Sequence, residues 1–304
     1  MTLRALLGEA ADIYPTLPED GYTLIVSDGA YGIGGFPGDP KSPKALADWY
    51  APHLEAWDRL AAPSSSLYFW CTPEGCARML PHVEAAGWRY HSRIVWSKGM
   101  AALAGRLDTA SMRGWAMASE DCYFYVREGW DPTGCMGRMC SSGYWPSDMD
   151  HVLGVACVAS RKYLGTDRQA YPPTDEHLAV LREAMPEVRD FAPDSVRYPF
   201  TLPQGVTDVW TGTPVNRPGR HGCAKRDDHI ERIVKASSRA GDRVLEPFGG
   251  GAPVLRACKK LGRSCDSIER DPEWHRRALA GIDTAAALAV PDPKALPGQG
   301  GLFG

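Results

Sequence analysis

The sequence lacks any apolar stretch of the roughly 18–20 residues that a membrane-spanning helix needs. Its first residues also lack the apolar segment of a secretory signal. Neither charge sign is in large excess, since 34 Lys and Arg stand against 37 Asp and Glu with a net charge of −3. This balance excludes a wholly basic nucleic-acid binder but allows a local basic face.

The cysteines do not form the pattern of a secreted scaffold, because all nine are irregularly spaced and their number is odd. No histidine ligand pattern lies beside them, so a zinc site is not predicted either. We therefore expect a reduced, cytoplasmic protein with no bound metal and no membrane partner.

What the sequence does contain is an alternation of short apolar runs and helix-like segments. Strands are predicted at 22–27, 66–71, 93–96, 121–126, 243–245 and 265–268. Helices are predicted at about 43–60, 74–86, 228–238 and 253–261. This order predicts an α/β fold with a doubly wound, mostly parallel, Rossmann-like sheet.

Two segments interrupt the alternation and divide the chain into four parts. Residues 130–205 are rich in Gly, Pro, Ser, Met and Cys, with one clear predicted helix at about 174–185. The end of the chain is rich in Pro and Gly and is predicted to be a flexible tail. The predicted units are therefore 1–129, an insertion at 130–205, 206–282 and the tail at 283–304.

The most informative segment follows the predicted strand at 243–245. It reads Glu246-Pro247-Phe248-Gly249-Gly250-Gly251-Ala252-Pro253, so a strand enters three glycines and a helix begins at a proline. Glycines allow a tight turn and a close approach of a ligand. Glu269, at the end of the next predicted strand, is placed to accept hydrogen bonds from the two hydroxyls of a ribose. From these residues alone the ligand is either a nicotinamide dinucleotide or S-adenosylmethionine.

The stretch VLEPFGGG…LGRSCDSIERD resembles DPF-x-GSG…LGR…GIE of the amino-methyltransferases of DNA, and His221-Gly-Cys-Ala-Lys225 resembles their H-P-x-x-K-P. Two residues depart from the family pattern: Ala252 stands for its second glycine, and Arg226 for the proline after the lysine. The resemblance implies S-adenosyl-L-methionine as the cofactor. The implied cofactor-binding residues are Glu246, Phe248, Gly249, Gly250, Gly251, Glu269, His221 and Lys225.

The same family has an acceptor motif, D/N/S-P-P-Y/F/W, at the end of a strand, where this chain reads Asp28-Gly29-Ala30-Tyr31. By resemblance, the Asp28 carboxylate and the Gly29 carbonyl accept hydrogen bonds from the exocyclic amine of a flipped base, and Tyr31 stacks on that base. Glycine and alanine give less stiffness than two prolines, so restoration of prolines at both positions is an informative test: a faster enzyme would show that the natural loop trades rate for flexibility. In a doubly wound sheet the two motifs are expected to be neighbours at the carboxyl ends of adjacent strands.

The motif order resembles the β class of these enzymes. It implies a catalytic-motif half at 1–129, target recognition by 130–205 and a cofactor-binding half at 206–282, with double-stranded DNA as the partner. A homodimer is a further candidate assembly, and Gln299-Gly300-Gly301-Leu302-Phe303 resembles peptides that dock on sliding clamps. The predicted DNA-contacting residues are Arg217, Arg220, Arg226, Arg138 and Lys162.

Three functions remain open at this point. The resemblance favours methyl transfer to adenine N6, because the motif begins with Asp28, with cytosine N4 as the alternative. A DNA-binding relative with impaired catalysis would explain Gly29, Ala30 and Ala252 equally well. A nicotinamide oxidoreductase is supported by the glycine loop alone.

Overall fold

The computed structural model describes residues 1–99, 113–127, 200–214 and 225–282, together with residues 179 and 183. Its helices are α1 (Ala10–Ile13), α2 (Leu46–Leu60), α3 (Pro73–Ala85), α4 (Asp227–Ala236), α5 (Pro253–Leu261) and α6 (Pro272–Ala280), with short 3-10 turns at Tyr14–Thr16 and Pro43–Ala45. Its strands are β1 (Leu3–Leu7), β2 (Tyr22–Ser27), β3 (Ala61–Cys71), β4 (Trp88–Ser97), β5 (Ser119–Arg127), β6 (Val209–Thr211), β7 (Arg243–Glu246) and β8 (Ser264–Glu269).

All eight strands form one sheet in the order β1-β8-β7-β2-β3-β5-β4-β6. The pairs are parallel except where β5 runs antiparallel to β3 and β4. The chain winds outward from β2 to β3 on one side and from β7 to β8 on the other. The strand order therefore reverses between β2 and β7, which pair directly through Leu24 with Val244 and Ile25 with Leu245. This is the point at which doubly wound sheets bind their ligands.

Two apolar layers cover the sheet. Helices α2 and α3 supply one layer, in which Tyr50, Trp57 and Met79 are fully buried. Helices α4 and α5 supply the other, with Val234 and Val254 packed on the opposite face. The helix faces follow from spacing, since the buried residues of α2 recur every three or four positions. Covered on both faces, the central strands read as continuous apolar runs.

Local signals define the ends of the helices. The Thr72 side chain accepts a hydrogen bond from the Gly75 N–H at 3.1 Å at the start of α3. The Asp271 side chain does the same for the Glu273 N–H at 2.8 Å at the start of α6. Gly87 follows α3 with φ +89°, the left-handed conformation that ends many helices.

The predicted elements within the described ranges are present, with shifted bounds. The strand predicted from residue 66 begins at Ala61, and the one predicted from residue 93 begins at Trp88. The sequence did not predict β1, β6, α1 or α6. The helix predicted at 174–185 lies almost wholly outside the described residues, as do most of 130–205 and the tail at 283–304. No helix in the described ranges has both the length and the apolarity to cross a bilayer.

Candidate active site at the strand-order reversal

The acceptor motif begins where β2 ends, and its first residue carries an ion pair. Oδ1 of Asp28 accepts hydrogen bonds from Nζ of Lys225 at 2.6 Å and from the Tyr31 hydroxyl at 2.9 Å. The Asp28 side chain is 26% exposed, whereas that of Lys225 is 2% exposed. Asp28 is therefore partly exposed, while a buried lysine holds its Oδ1.

A second carboxylate and a second lysine extend this ion pair. Nζ of Lys225 lies 3.3 Å from Oε2 of Glu120, and Nζ of Lys98 pairs with the other oxygen of Glu120. Burial disfavours the charged forms, but the opposite charges prevail, so the pKa of Glu120 is lowered and that of Lys225 is raised. Two carboxylates and two lysines thus form a network with no formal net charge.

The structure places Lys225 on Asp28, at the acceptor end of the site. The sequence predicted Lys225 as a cofactor-binding residue, and that role stays a prediction. The Lys225 ammonium also lies 5.2 Å from the centre of the Tyr31 ring. Tyr31 is predicted to stack on a base, and its hydroxyl donates a hydrogen bond to Asp28. Sequence reasoning missed Glu120, because only the pairing of β4 with β5 brings it to Lys98.

Gly29 packs directly against the glycine loop, which is the turn of residues 247–252 between β7 and α5. A Cβ on Gly29 would lie 2.6 Å from Cε2 of Phe248 and 2.7 Å from the Tyr50 hydroxyl. Restoration of a proline at position 29 would therefore cause a collision in this chain, because proline carries that Cβ. The same contact joins the two predicted motifs, which lie side by side as expected.

The glycine loop turns sharply between β7 and α5. Gly250 has φ +49°, and Ala252 is also left-handed, with φ 52° and ψ 50°. At Gly249 a Cβ would meet the Ser267 hydroxyl at 2.5 Å. The turn therefore depends on small residues, and Ala252 occupies a conformation that glycine adopts more readily.

Two carboxylates hold this turn by accepting backbone hydrogen bonds. The buried Glu246 accepts from the N–H groups of Val254 and Leu255 at 2.9 and 3.2 Å, at the start of α5. Burial raises the pKa of Glu246 to about 7 against the lowering effect of these bonds. Glu269 accepts from Gly250 N–H at 2.5 Å. The predicted ribose acceptor and the glycine turn are thus in contact, which fits a nucleoside cofactor at this edge of the sheet.

An aromatic cluster lies beneath the two loops. The Phe248 ring is 5.0 Å from that of His53 and 5.4 Å from that of Trp49, centre to centre. His53 shares a hydrogen bond of 2.9 Å with the Tyr14 hydroxyl. Its burial lowers its pKa to about 4, so the ring is neutral at physiological pH.

Of the predicted DNA-contacting residues, Arg226 alone lies in the described ranges. Its guanidinium bonds to Asp228 at 2.9 Å and to the Thr213 carbonyl at 3.1 Å. Within those same ranges, no group of three or more His, Cys, Asp and Glu side chains could hold a metal ion. The residues outside the described ranges are His221, Arg217, Arg220, Arg138, Lys162 and the clamp-like segment Gln299-Gly300-Gly301-Leu302-Phe303.

An N6/N4 methyltransferase family model, described as DNA methylase, matches residues 22–280. The match covers most of the chain, so the chain belongs to the DNA methylase family. This membership confirms the predicted family and S-adenosyl-L-methionine as the cofactor, and the sheet with its covering helices confirms the α/β fold class.

Individual relatives agree with the family match over shorter segments. The chain is 35% identical over 73 residues to the type II methyltransferase M2.DpnII of Streptococcus pneumoniae, which is 23% of this chain and 27% of the relative. It is 31% identical over 89 residues to M2.LlaDCHI of Lactococcus lactis subsp. cremoris, covering 28% of this chain and 33% of that protein. These curated relatives are thus matched over only about a quarter to a third of their length.

Solved structures share the fold over nearly the whole chain. The M1.HpyAVI–SAM complex has a TM-score of 0.55 at 14% identity and covers 91% of this chain and 98% of that one. The cytosine-N4-specific PvuII DNA methyltransferase has a TM-score of 0.57 at 10% identity, covering 93% of this chain and 88% of that one. At these identities the likeness establishes a common fold.

Proposed function

We propose that this protein transfers a methyl group from S-adenosyl-L-methionine to an exocyclic amine of a base in DNA, with adenine N6 as the favoured acceptor. The observation that carries the proposal is the contact between the two motifs. Gly29, beside Asp28 at the end of β2, packs on Phe248 of the glycine loop that follows β7. An acceptor site and a cofactor site at these positions would share one edge of the sheet.

The chemistry assigned to Asp28 follows from which of its oxygens is used. Lys225 and Tyr31 both bond to Oδ1, so we assign Oδ2, which neither of them contacts, to the incoming amine N–H. An exocyclic amine is a poor nucleophile, because its lone pair is delocalised into the ring. Hydrogen bonds from its N–H groups to Oδ2 and to the Gly29 carbonyl would localise that lone pair. They would also stabilise the positive charge that develops on the nitrogen.

The cofactor-binding role is assigned to the glycine loop and Glu269. The Glu269 carboxylate would accept hydrogen bonds from the ribose, while the turn at Gly249 and Gly250 allows a close approach of the nucleoside. S-adenosyl-L-methionine supplies an electrophilic methyl group when it is bound. The chain's own contribution is then mainly positioning, since a well-oriented pair of reactants needs little further activation.

The DNA substrate follows from the family and from the acceptor chemistry. An exocyclic amine inside a duplex is out of reach, so the base must be flipped out at a cost of a few kcal/mol. Phosphate contacts by Arg217, Arg220, Arg226, Arg138 and Lys162 would hold the duplex. Adenine is favoured over cytosine because the motif begins with Asp28, and cytosine N4 is the alternative.

The test is transfer of labelled methyl from S-adenosylmethionine to unmethylated DNA, followed by mass spectrometry of the released nucleosides. N6-methyladenine supports the favoured acceptor, and N4-methylcytosine supports the alternative. DNA binding without any transfer would instead identify a non-catalytic relative.

The Asp28→Ala variant is expected to lose at least about a thousandfold in kcat, because it lacks the carboxylate that accepts hydrogen bonds from the amine and the negative charge of that carboxylate. Cofactor affinity, measured by calorimetry, is expected to remain within about twofold of the wild type. Asp12→Ala, on the exposed face of α1, is the matched control and should keep full activity. Full activity of Asp28→Ala would contradict the assigned chemistry.

A further inference from the structure

The segment that contains the acceptor motif, residues 28–39, lacks the two prolines of its family but is held by other contacts. We call this segment the acceptor loop. We propose that Tyr50 and Asp39 are positioning residues that hold the acceptor loop in the geometry needed for methyl transfer. The proposal rests on the proposed function and assigns the restraint that the prolines would otherwise supply.

Tyr50 restrains the middle of the motif from α2. Its hydroxyl donates a hydrogen bond of 3.1 Å to the Ala30 carbonyl. The side chain is fully buried, and its ring lies 4.8 Å from that of Phe69 and 4.6 Å from that of Trp49. Because the ring is fixed, the hydroxyl fixes the peptide between Ala30 and Tyr31. The Tyr50 hydroxyl also lies 2.7 Å from the position that a Cβ on Gly29 would occupy.

Asp39 restrains the loop after the motif. Its Oδ1 accepts hydrogen bonds from the N–H groups of Tyr31 at 3.0 Å and Gly32 at 2.9 Å. Its Oδ2 accepts from Ile33 at 3.3 Å and Gly35 at 2.8 Å. Asp39 is 8% exposed, so these bonds are made largely out of water. One carboxylate thus orients four amides of a glycine-rich segment.

These contacts act where proline would act. Proline fixes φ through its ring, whereas glycine and alanine leave φ free, so any restraint on Gly29 and Ala30 must come from tertiary contacts. Phe248 restrains Gly29, Tyr50 restrains Ala30, and Asp39 restrains the Tyr31 amide. The backbone that follows Asp28, the proposed hydrogen-bond acceptor for the amine, is therefore held at three successive residues by side chains from outside the motif.

The experiment compares Tyr50→Phe, Asp39→Ala and Asp39→Asn with the wild type. Removing one hydrogen bond should lower kcat about three- to tenfold in Tyr50→Phe, and Asp39→Ala should lower it up to about a hundredfold. The KM for S-adenosylmethionine should stay unchanged. Asp39→Asn should recover part of the loss, because its amide oxygen can still accept hydrogen bonds.

The matched control is Tyr125→Phe. The Tyr125 hydroxyl is buried on β5 and has no hydrogen-bond partner within the described part of the chain. Removal of this hydroxyl is expected to leave kcat and the hydrogen–deuterium exchange of the acceptor-loop amides unchanged. This control separates the loss of a buried hydroxyl from the loss of the Ala30 contact.

Hydrogen–deuterium exchange of the amides at Tyr31, Gly32, Ile33 and Gly35 gives a second readout that does not depend on catalysis. Exchange should be faster in Asp39→Ala, and faster to a smaller degree in Tyr50→Phe. Unchanged exchange and kcat would overturn the inference, as would a loss of kcat that merely follows global unfolding. If the wild type transfers no methyl group, the proposed function fails, whereas the exchange data still decide whether Tyr50 and Asp39 hold the loop.

Discussion

The acceptor loop and the glycine loop meet at the strand-order reversal, yet Asp28 is held in a different way from Glu246 and Glu269. In the acceptor loop, Asp28 bonds to a buried lysine, and Glu120 joins that lysine to a second one. In the glycine loop, Glu246 and Glu269 accept hydrogen bonds from backbone N–H groups. Asp28 therefore belongs to an ion-pair network, whereas Glu246 and Glu269 hold the backbone, as Asp39 does in the rest of the acceptor loop.

This difference indicates how the two halves of the site are specialised. A carboxylate beside the amine can stabilise the positive charge that develops there. A carboxylate held by backbone amides fixes the shape of a turn, which suits the binding of an uncharged ribose. The comparison therefore separates variants that should impair the chemical step from variants that should impair cofactor binding.

Glu269→Gln is the most direct test of the proposed cofactor-binding role of Glu269. We expect the Kd for S-adenosylmethionine to rise about 10- to 100-fold, because a charge-assisted pair of hydrogen bonds to the ribose becomes a neutral one. Isothermal titration calorimetry measures the change. Asp28→Ala should leave the same Kd nearly unaltered, and Glu273→Gln on the exposed face of α6 is the local control. An unchanged Kd in Glu269→Gln would remove the ribose role.

Gly29→Ala tests the contact that joins the two loops. The new Cβ would collide with the Phe248 ring and the Tyr50 hydroxyl, so we expect a loss of about 1–3 kcal/mol in the free energy of unfolding. The kcat should also fall at least about tenfold, because relief of the collision moves the backbone beside Asp28. Urea denaturation and the methyl-transfer assay measure these effects.

Gly114→Ala is the control for this change, since a Cβ there has no heavy atom within 4 Å among the described residues. It should alter neither stability nor kcat. If Gly29→Ala behaved like Gly114→Ala, the acceptor and glycine loops would not be coupled through this packing.

The sequence predicted the local parts of this architecture and missed the long-range ones. The run at 22–27 and the glycine turn are local patterns, and both are found where they were expected. Strand β1 carries no clear alternation, and its partner β8 lies near the other end of the chain. The Lys225–Asp28 pair joins residues 197 positions apart. No local pattern reports such a pair, because it forms only when the sheet places both residues at one edge.

The predicted halves of the chain are likewise interleaved in the sheet. Strand β1 from the first half pairs with β8 of the second, while β6 from the second half pairs with β4 of the first. Sequence order therefore gives the order of the motifs but not the assignment of edge strands. The collision at Gly29 was unpredictable for the same reason, since Phe248 and Tyr50 come from elements distant in the chain.

His53, beneath both loops, links their stability to pH. Its folded-state pKa of about 4 lies below the ordinary value of 6.5, so the unfolded chain takes up the proton first as the pH falls. The stabilisation is complete above pH 6.5 and is lost progressively toward pH 4. Between pH 6.5 and pH 5 we expect His53 to account for a loss of about 1.5 kcal/mol in the free energy of unfolding.

Urea denaturation across this pH range measures the effect, and His53→Phe should weaken the pH dependence. Part of it should persist, because burial also lowers the pKa of His229 to about 4. His82→Gln, on the exposed side of α3, should leave the slope of the unfolding free energy against pH unchanged. An unaltered slope in His53→Phe would mean that the His53 ring is not buried neutral in the folded protein.

Ala252→Gly should produce the smallest effect and gives the counterpart to Gly29→Ala. Alanine at φ 52° and ψ 50° is in a left-handed conformation that costs an L-residue roughly 1–2 kcal/mol and glycine nothing. The greater freedom of glycine in the unfolded chain offsets roughly 0.5–1 kcal/mol of that gain. We expect a net stabilisation between about 0 and about 1.5 kcal/mol, measured by urea denaturation, with an unchanged Kd for S-adenosylmethionine. As a control, Ala257→Gly, inside α5, should instead lower the free energy of unfolding by about 1 kcal/mol or more.

These outcomes would show that the family's glycine is tolerated at position 252, because the backbone there already has a glycine-like conformation. The family's proline is not tolerated at position 29, because aromatic side chains occupy the space. A clear destabilisation by Ala252→Gly would show instead that the buried Ala252 methyl group outweighs its backbone strain.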